Sequence, residues 1–239
     1  MEPVGKVYLI PTLLSPDTLH TIPPYVTAAV QRIKVFFVEN ERTARRYMKA
    51  LDRTVNIDEM QLLLMDSHNP PDVALAKKTL LAGQDIGVIS EAGCPAIADP
   101  GHLVVKAAHS IEAPVIPMVG PNSIILALMA SGMNGQNFQF VGYLPVKPAE
   151  RMKAIVELET QAHKKKQTQI FIETPYRNNY ILKDILSSCK DHTLLCVAAD
   201  ITGAEEYIHT KTIKAWKQTT LPELNKKPAI FLLYAGEPE

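Results

Sequence analysis

Hydrophobic residues in the first half of the chain come in short, almost uninterrupted runs. Five runs of this kind occupy residues 7–10, 35–38, 62–65, 86–90 and 115–118. A strand of a parallel sheet that is covered on both faces is apolar at nearly every position, so the runs predict five buried parallel strands. Between them, residues 70–83 and 121–132 place apolar side chains at helical intervals, with prolines near the start and Gly83 or Gly132 near the end. This alternation predicts a parallel α/β sheet.

The second half of the chain has a different order of elements. Apolar runs predict strands over 138–144, 168–173, 194–201, 206–213 and 229–236, and two helices are predicted around 149–163 and 176–188. The third and fourth of these strands follow each other too closely for a crossover helix, so we expect them to pair antiparallel in a mixed sheet. The chain is therefore predicted to be an α/β protein with two unlike domains, residues 1–119 and residues 120–239.

Composition narrows the class of protein. Of the 239 residues, 46% are hydrophobic, which is enough for a sizeable core and excludes a disordered chain. The 25 basic residues balance 25 acidic ones, so the chain as a whole is not a basic nucleic-acid surface. Three cysteines without a CxxC pair predict neither disulfides nor a metal site. We see no signal peptide and no apolar stretch of ~18 residues, and we expect a cytoplasmic protein that does not enter a membrane.

The loop "SEAGCPAIADPG", at residues 90–101, follows the fourth predicted strand. Ligands of parallel sheets bind at the carboxyl ends of the strands. Ala92 and Gly93 leave room for a ligand, and Glu91 can accept hydrogen bonds from a ribose or an amine. The loop therefore predicts a ligand site. Asp99 is expected to be the N-cap of the next helix, with Pro100 in its first turn.

A second loop, "MVGPNSI" at 118–124, follows the fifth strand. Gly120 is predicted to adopt a backbone conformation that is closed to other residues. The free N–H groups of the helix that follows suit a carboxylate or a phosphate, although Asn122 or Ser123 as a plain N-cap is an alternative. No two glycines have the spacing G-x-G, and no GxxxxGK[ST] stretch is present, so the dinucleotide fingerprint and the phosphate loop are excluded.

Eight stretches together resemble the tetrapyrrole methylase superfamily, and within it most closely the bacterial 16S rRNA (cytidine-2′-O)-methyltransferases. They are "YLIPT", "VENER" at 38–42, "MDSHN" at 65–69, "SEAGCPAIADPG", "VGPNSIILALMASGM", "FVGYLPVK", "IFIETPYR" and "AADITGAEEYI". The match of the 90–101 loop is long and specific, since it is similar to the family's S-D-A-G-T-P-L-I-S-D-P-G over its whole length. The resemblance implies two unlike α/β domains with the active site in the cleft between them. It also implies S-adenosylmethionine (SAM) as cofactor, a homodimer, and 2′-O-methylation of a ribose in small-subunit ribosomal RNA.

The resemblance and the two loops predict site residues. Those expected to bind the cofactor are Ser90, Glu91, Ala92, Gly93, Cys94, Gly120, Pro121, Asn122, Ser123, Glu173, Thr174, Ala199 and Ala229. A ribose hydroxyl needs a base, and Glu39 is the candidate, unless it forms a salt bridge with Arg42 or Arg45. Arg42 and Arg177 are predicted to hold a phosphate, with structural ion pairs as the alternative.

Other residues allow a structural explanation as well. Cys94 is favoured as a packing thiol, and His68 as a histidine of a surface loop. The cations of 163–166 are favoured as the basic end of a helix rather than as a nucleic-acid patch.

The chain also departs from the family. Residues 11–16 lack the family's glycine turn, Asn40 replaces an Asp, and Glu91 replaces another Asp. Ala199 and Asp200 replace Arg and Glu, and residues 226–229 lose a Gly and a Glu. These changes indicate a divergent paralogue. They leave two alternatives open: a SAM-dependent methyltransferase that acts on a small molecule or another RNA, and a SAM-binding protein without catalysis.

Overall fold

The computed structural model describes residues 3–66 and 68–235. The chain forms two compact units, Met1–Asn122 and Ser123–Glu239. This division lies just after the boundary predicted between residues 119 and 120. Each unit has its own five-stranded sheet. We number strands and helices in chain order.

The first unit is built on a fully parallel sheet. Its strands are β1 (Val7–Ile10), β2 (Val35–Val38), β3 (Gln61–Leu64), β4 (Ile86–Ile89) and β5 (Val115–Pro117). Its helices are α1 (Pro24–Arg32), α2 (Glu41–Leu51), α3 (Val73–Leu81) and α4 (His102–His109). The strand order is β3-β2-β4-β1-β5, and every pair is parallel. The predicted parallel α/β sheet is confirmed.

Burial follows the position of each strand in this sheet. All residues of β2 and β4 are buried, and alternate residues of β2 enter two separate cores on the two faces, Phe36 in one and Phe37 in the other. In β3, by contrast, Gln61 and Leu64 are exposed. The prediction that all five strands are buried is therefore wrong for β3, and β5 is only partly buried. Both are edge strands, and an edge has a neighbour on one side only.

The second unit has a mixed sheet. Its strands are β6 (Phe138–Tyr143), β7 (Thr168–Ile172), β8 (Leu194–Ala199), β9 (Tyr207–Thr212) and β10 (Ala229–Tyr234). Its helices are α5 (Ser123–Ser131), α6 (Pro148–Lys165), α7 (Asn178–Ser188) and α8 (Ile213–Lys217). The order is β6-β7-β10-β8-β9, with β6 and β7 parallel and the other pairs antiparallel. The predicted antiparallel pair, β8 and β9, is confirmed. Gly236, at the end of the last predicted strand, lies outside the described residues.

Two helices end at predicted glycines, and one helix lacks its predicted N-cap. Gly83 and Gly132 have φ values of +76° and +69° just beyond α3 and α5, as predicted for helix stops. The prediction for Asp99 is wrong, because α4 begins only at His102 and its N-cap position is Gly101. Asp99 instead folds the preceding loop, where its carboxylate accepts hydrogen bonds from the amides of Gly101 (2.7 Å) and Ile97 (3.2 Å).

The N-terminus of α2 is capped by Asn40. Its side-chain oxygen accepts hydrogen bonds from the amides of Arg42 (3.0 Å) and Thr43 (3.3 Å). Asn and Asp are equally good N-caps, so this departure from the family keeps the start of α2 intact. No helix in the described parts of the chain is long and apolar enough to cross a membrane.

Gly87, in the central strand β4, has no room for a side chain. A Cβ atom there would lie 2.4 Å from Cδ1 of Phe36, a fully buried side chain. We expect Gly87→Ala to lower the free energy of unfolding by about 1–3 kcal/mol, the usual cost of overpacking. Gly135→Ala is the control, since no atom lies within 4 Å of its Cβ position. Urea unfolding that gives the two variants equal stability would contradict this packing.

The cap of α2 can be tested with two substitutions. Asn40→Ala should cost about 1 kcal/mol of stability, because it leaves the amides of Arg42 and Thr43 without the side-chain acceptor. Asn40→Asp should restore that stability, since Asp caps equally well and its charge suits a helix N-terminus. Thermal unfolding compares the two, and an Asp variant as unstable as the Ala variant would contradict the capping role.

Candidate active site

A cavity of about 510 Å³ lies in the first unit. It is formed by the loops that follow β1 and β4, together with one face of α2. The lining residues are Thr12, Leu13, Leu14, Ser15, Pro16, Asp17, Thr43, Ala44, Arg46, Tyr47, Ala50, Ile89, Ser90, Glu91 and Ala92. β1 and β4 are adjacent parallel strands, so the loops at their carboxyl ends emerge side by side.

Helix α2 contributes residues at helical spacing. Thr43, Arg46, Tyr47 and Ala50 follow the intervals i, i+3, i+4 and i+7, which place them on one face. The buried Tyr47 hydroxyl donates a hydrogen bond to the carbonyl of Pro11 at 2.6 Å and so ties the loop after β1 to the helix. Burial raises the pKa of Tyr47 far above its ordinary value, so this hydroxyl stays protonated as a donor.

The two loops are bonded to each other through Thr12. Its amide donates to the carbonyl of Gly93 at 2.8 Å, and its hydroxyl donates to the carbonyl of Ser90 at 3.3 Å. Gly93 has a φ of +73°, which a side chain rarely tolerates. A Cβ atom there would also lie 3.0 Å from Leu14 and 3.3 Å from the carbonyl oxygen of Pro121. Glycine at position 93 is therefore required by the loop's own conformation.

Glu39 and Glu91 meet at the border of the cavity. The half-buried carboxylate of Glu39 accepts a hydrogen bond from the amide of Glu91 at 2.7 Å. The carboxylate of Glu91 accepts one from the hydroxyl of Thr43 at 2.5 Å. Glu39 is thus one hydrogen bond away from a residue that lines the cavity.

The surroundings of Glu39 disfavour its charged form. Burial raises its pKa, and the carboxylates of Asp99, Glu91 and Asp66 raise it further, while the hydrogen bond from the Glu91 amide opposes the shift. The proposed alternative, an ion pair with Arg42 or Arg45, is not formed in the described residues. Arg45 instead lies 4.0 Å from Asp58. A raised pKa beside a cavity is typical of a catalytic acid or base.

The structure separates the other predicted residues of this unit into two groups. Ser90, Glu91 and Ala92 line the cavity, whereas Cys94 and residues 120–122 do not. The thiol of Cys94 points to the carbonyls of Pro121 (3.5 Å) and Gly120 (3.7 Å). Burial raises the pKa of this thiol, which fits a packing role.

The reason given for Gly120 is wrong. Its φ lies outside the left-handed region, but a Cβ atom there would stand only 2.1 Å from Cβ of Pro11. Glycine is needed because the two loops approach closely. Since α5 begins at Ser123, Pro121 and Asn122 belong to the loop before the helix and not to its first turn.

In the second unit, three predicted residues stand together at one end of the three central strands. β10 pairs with both β7 and β8, with Ile230 opposite Ile172 and Ala229 opposite Ala199. Glu173 follows Ile172, so it stands at the same end of the sheet as the two alanines. Its buried carboxylate accepts hydrogen bonds from the amide of Thr174 (2.6 Å) and from the guanidinium of Arg177 (2.5 Å).

Arg177 therefore forms the ion pair that was the structural alternative for it. The second carboxylate oxygen of Glu173, Oε2, is buried and has no hydrogen-bond partner in the described structure. Such an atom is costly unless a ligand or water satisfies it. Arg42 is exposed on α2 and forms no ion pair within the described residues.

The "MDSHN" loop is held by its own aspartate. Asp66 accepts hydrogen bonds from the side-chain amide of Asn69 (3.0 Å) and from the backbone amides of Asn69 (2.7 Å) and His68 (2.6 Å), and these bonds lower its pKa. Ser67 lies outside the described residues. His68 is exposed in this loop.

Sequence reasoning missed Thr12, Leu14, Arg46 and Tyr47. The helical spacing of Thr43, Arg46 and Tyr47 was visible, directly after "VENER". The strand order places this face of α2 beside the loop after β1. A local sequence pattern does not reveal the strand order, so this contact was not predicted.

Comparison with known proteins places the chain in a family, although no family model matches it. It is 27% identical over 234 residues to ribosomal RNA small subunit methyltransferase I of Xylella fastidiosa, covering 98% of this chain and 82% of that protein. It is 31% identical over 239 residues to the protein of the same name from Micromonospora olivasterospora, covering 98% and 72%.

Two solved structures share the fold. The methyltransferase CobJ superposes with a TM-score of 0.60 at 16% identity, over 97% of this chain and 94% of the other. Uroporphyrin-III-C-methyltransferase from Thermus thermophilus has a TM-score of 0.52 at 15% identity, over 97% and 92%. The chain therefore belongs to the ribosomal RNA small subunit methyltransferase I family, has the tetrapyrrole methylase fold, and is a methyltransferase.

Proposed function

We propose that this methyltransferase transfers the methyl group of SAM to a ribose 2′-hydroxyl of small-subunit ribosomal RNA. The name of the relatives, which match nearly the whole chain, supports ribosomal RNA as the acceptor. The observation that supports a ribose hydroxyl as the methyl acceptor is the position of Glu39. Its carboxylate has a raised pKa and is fixed at the border of the cavity.

The residues present fit SAM. A cavity of about 510 Å³ has the size of an ordinary small-molecule site, and Ala92 keeps its border open. SAM carries hydroxyl and amino groups, which need acceptors. Glu91 offers a carboxylate in the lining of this cavity. Gly120 to Ser123, Glu173, Thr174, Ala199 and Ala229 stay as predicted contacts.

SAM supplies an activated methyl group when bound, so the protein has to orient the acceptor, exclude water and take up a proton. A ribose hydroxyl is a weak nucleophile at neutral pH, and a carboxylate within reach makes it stronger. We assign this role to Glu39. The Glu91 amide and the Thr43 hydroxyl hold the carboxylate pair in place. Arg42 and Arg177 remain candidates for holding an RNA phosphate, Arg177 through its Glu173-bound guanidinium.

The two alternatives differ from this proposal in the methyl acceptor or in whether methyl transfer occurs at all. A tetrapyrrole-like small molecule or another RNA would use the same cavity, and a binding protein would hold SAM without turnover. The substitution at Asn40, which spoke for divergence, leaves the α2 cap complete. This removes one argument against an active ribosomal RNA enzyme. A homodimer remains a prediction.

The acceptor can be identified directly. The protein should transfer radiolabelled methyl groups from SAM to small ribosomal subunits from a strain that lacks the resident enzyme. Because a 2′-O-methyl group blocks cleavage of the adjacent phosphodiester bond, the labelled position should resist alkaline hydrolysis. Transfer RNA and tetrapyrroles are tested in parallel. Label on either of these alone would support the first alternative, and SAM binding by calorimetry without any transfer would support the second.

The role of Glu39 predicts a specific loss. Glu39→Gln should reduce the rate of methyl transfer by roughly 10²–10⁴-fold, the usual contribution of a general base, with SAM affinity retained. Glu41→Gln, an exposed neighbour in the first turn of α2, is the matched control and should keep its activity. Single-turnover kinetics with both variants measures the difference, and equal rates would remove Glu39 from the mechanism.

The pH dependence follows from the sign of the pKa shift. A base must be ionised, so the wild-type rate should rise with pH through the raised pKa of Glu39, above the ordinary range of a glutamate. For stability the sign is opposite. A carboxyl with a raised pKa in the folded state loses its stabilising contribution as pH rises through that value, so Glu39→Gln should be at least as stable as wild type at neutral pH.

A further inference from the structure

We propose that the C-terminal end of α6 carries a binding surface for the phosphate backbone of an RNA substrate. We call it the α6 basic patch. It consists of residues 163–166 together with Lys190 and His192. The identity of the partner as RNA rests on the proposed function, while the surface itself is argued from its geometry.

Four residues of the patch, namely His163, Lys164, Lys190 and His192, line a small cavity. A space of about 140 Å³ in the second unit is lined by Glu159, Thr160, His163, Lys164, Lys190, His192, Thr193 and Ala235. These residues come mainly from two separate segments, the end of α6 and the turn before β8. Both histidines and all the lysines of the patch are exposed. Two segments therefore present cations around one common depression.

Helix capping does not account for these cations. The carbonyl oxygens at the end of α6 already have partners, since the side-chain amides of Asn137 and Asn134 donate to Lys165 (2.8 Å) and Lys166 (3.0 Å). The amide of Gln167 donates to the carbonyl of Ala162 at 3.1 Å. Lys190 belongs to another segment altogether. The preference for a plain helix end therefore explains at most part of the patch.

The turn before β8, which carries Lys190 and His192, is held in place by the buried carboxylate of Glu159. Glu159 accepts hydrogen bonds from the amide of Lys190 (2.7 Å) and from the hydroxyl of Thr193 (2.5 Å). The end of α6 is fixed by Asn134 and Asn137 in the same way. Since both backbones are anchored, little ordering is left to occur when a ligand binds.

The charge balance of the patch favours an anionic partner. None of its four lysines forms an ion pair within the described residues, although the chain as a whole has a net charge of zero. Two carboxylates lie nearby: Glu159, whose hydrogen bonds are given above, and Asp191, which is paired with Lys217 at 2.8 Å. Lysines act as point charges toward phosphate and do not read a base sequence.

RNA fits this arrangement better than an acidic protein segment, because its phosphates recur regularly along a strand and can meet lysines from two segments at once. Each phosphate contact releases counterions, so binding through the patch has a measurable salt dependence.

The test compares two triple variants of the full chain. Lys164→Gln/Lys165→Gln/Lys190→Gln removes three charges from the patch. Lys78→Gln/Lys106→Gln/Lys153→Gln removes three exposed lysines from elsewhere, none of which has an ion pair within the described structure. Affinity for small-subunit ribosomal RNA is measured at several salt concentrations. The slope of log K against log [salt] should fall by about 2–3 for the patch variant and should stay near the wild-type value for the control.

Turnover separates this inference from the proposed function. With small subunits as substrate, the patch variant should show a higher KM, with kcat and the affinity for SAM unchanged. Equal salt slopes for the two triple variants, or no RNA binding by the wild type, would overturn the patch. Wild type that binds RNA through the patch but methylates only a small molecule would support the patch and refute ribose methylation.

Discussion

The hydrogen bond from the amide of Thr12 to the carbonyl of Gly93 holds the candidate site together. It joins the loops of two adjacent parallel strands, and Gly93 can present its carbonyl in this direction because its φ is positive. The close contact of Gly120 with Pro11 brings a third loop to the same place. The cavity, the position of Glu91 and hence the environment of Glu39 all depend on this junction.

The site concentrates carboxylates where a parallel sheet ends. Glu39, Glu91, Asp66 and Asp99 lie close enough for the last three to raise the pKa of the first. Asp66 and Asp99 are held by amides of their own loops, so their charges are fixed in place. Burial is the main cause of the raised pKa of Glu39, and the same carboxylates that shape the loops raise this pKa further. A substitution of one of these carboxylates is therefore expected to change both the conformation of its loop and the pKa of Glu39.

Much of the fold could be predicted from the sequence, because strands covered on both faces leave an apolar run and helices end at glycines such as Gly83 and Gly132. The order of strands in a sheet leaves no comparable local signal. This is why the exposure of β3 and the contribution of Tyr47 to the cavity were not predicted. The two glycines of the site show the same limit. Gly93 is needed for its φ and Gly120 for a close approach, and the sequence does not distinguish these reasons. The alignment of Glu173 with Ala199 and Ala229 likewise depends on β10 lying between β7 and β8.

The central position of β10 in the second sheet also affects how the chain folds during its synthesis. β10 is the last strand in chain order among the described residues, yet β7 and β8 both pair with it. During synthesis, the second sheet therefore consists of two separated pieces with open edges until residues 229–234 have left the ribosome. All five strands of the first sheet are available by residue 117. Domains generally fold as they emerge, and unpaired strand edges invite aggregation. The first unit is thus able to fold during translation, whereas the second has to wait for its final strand.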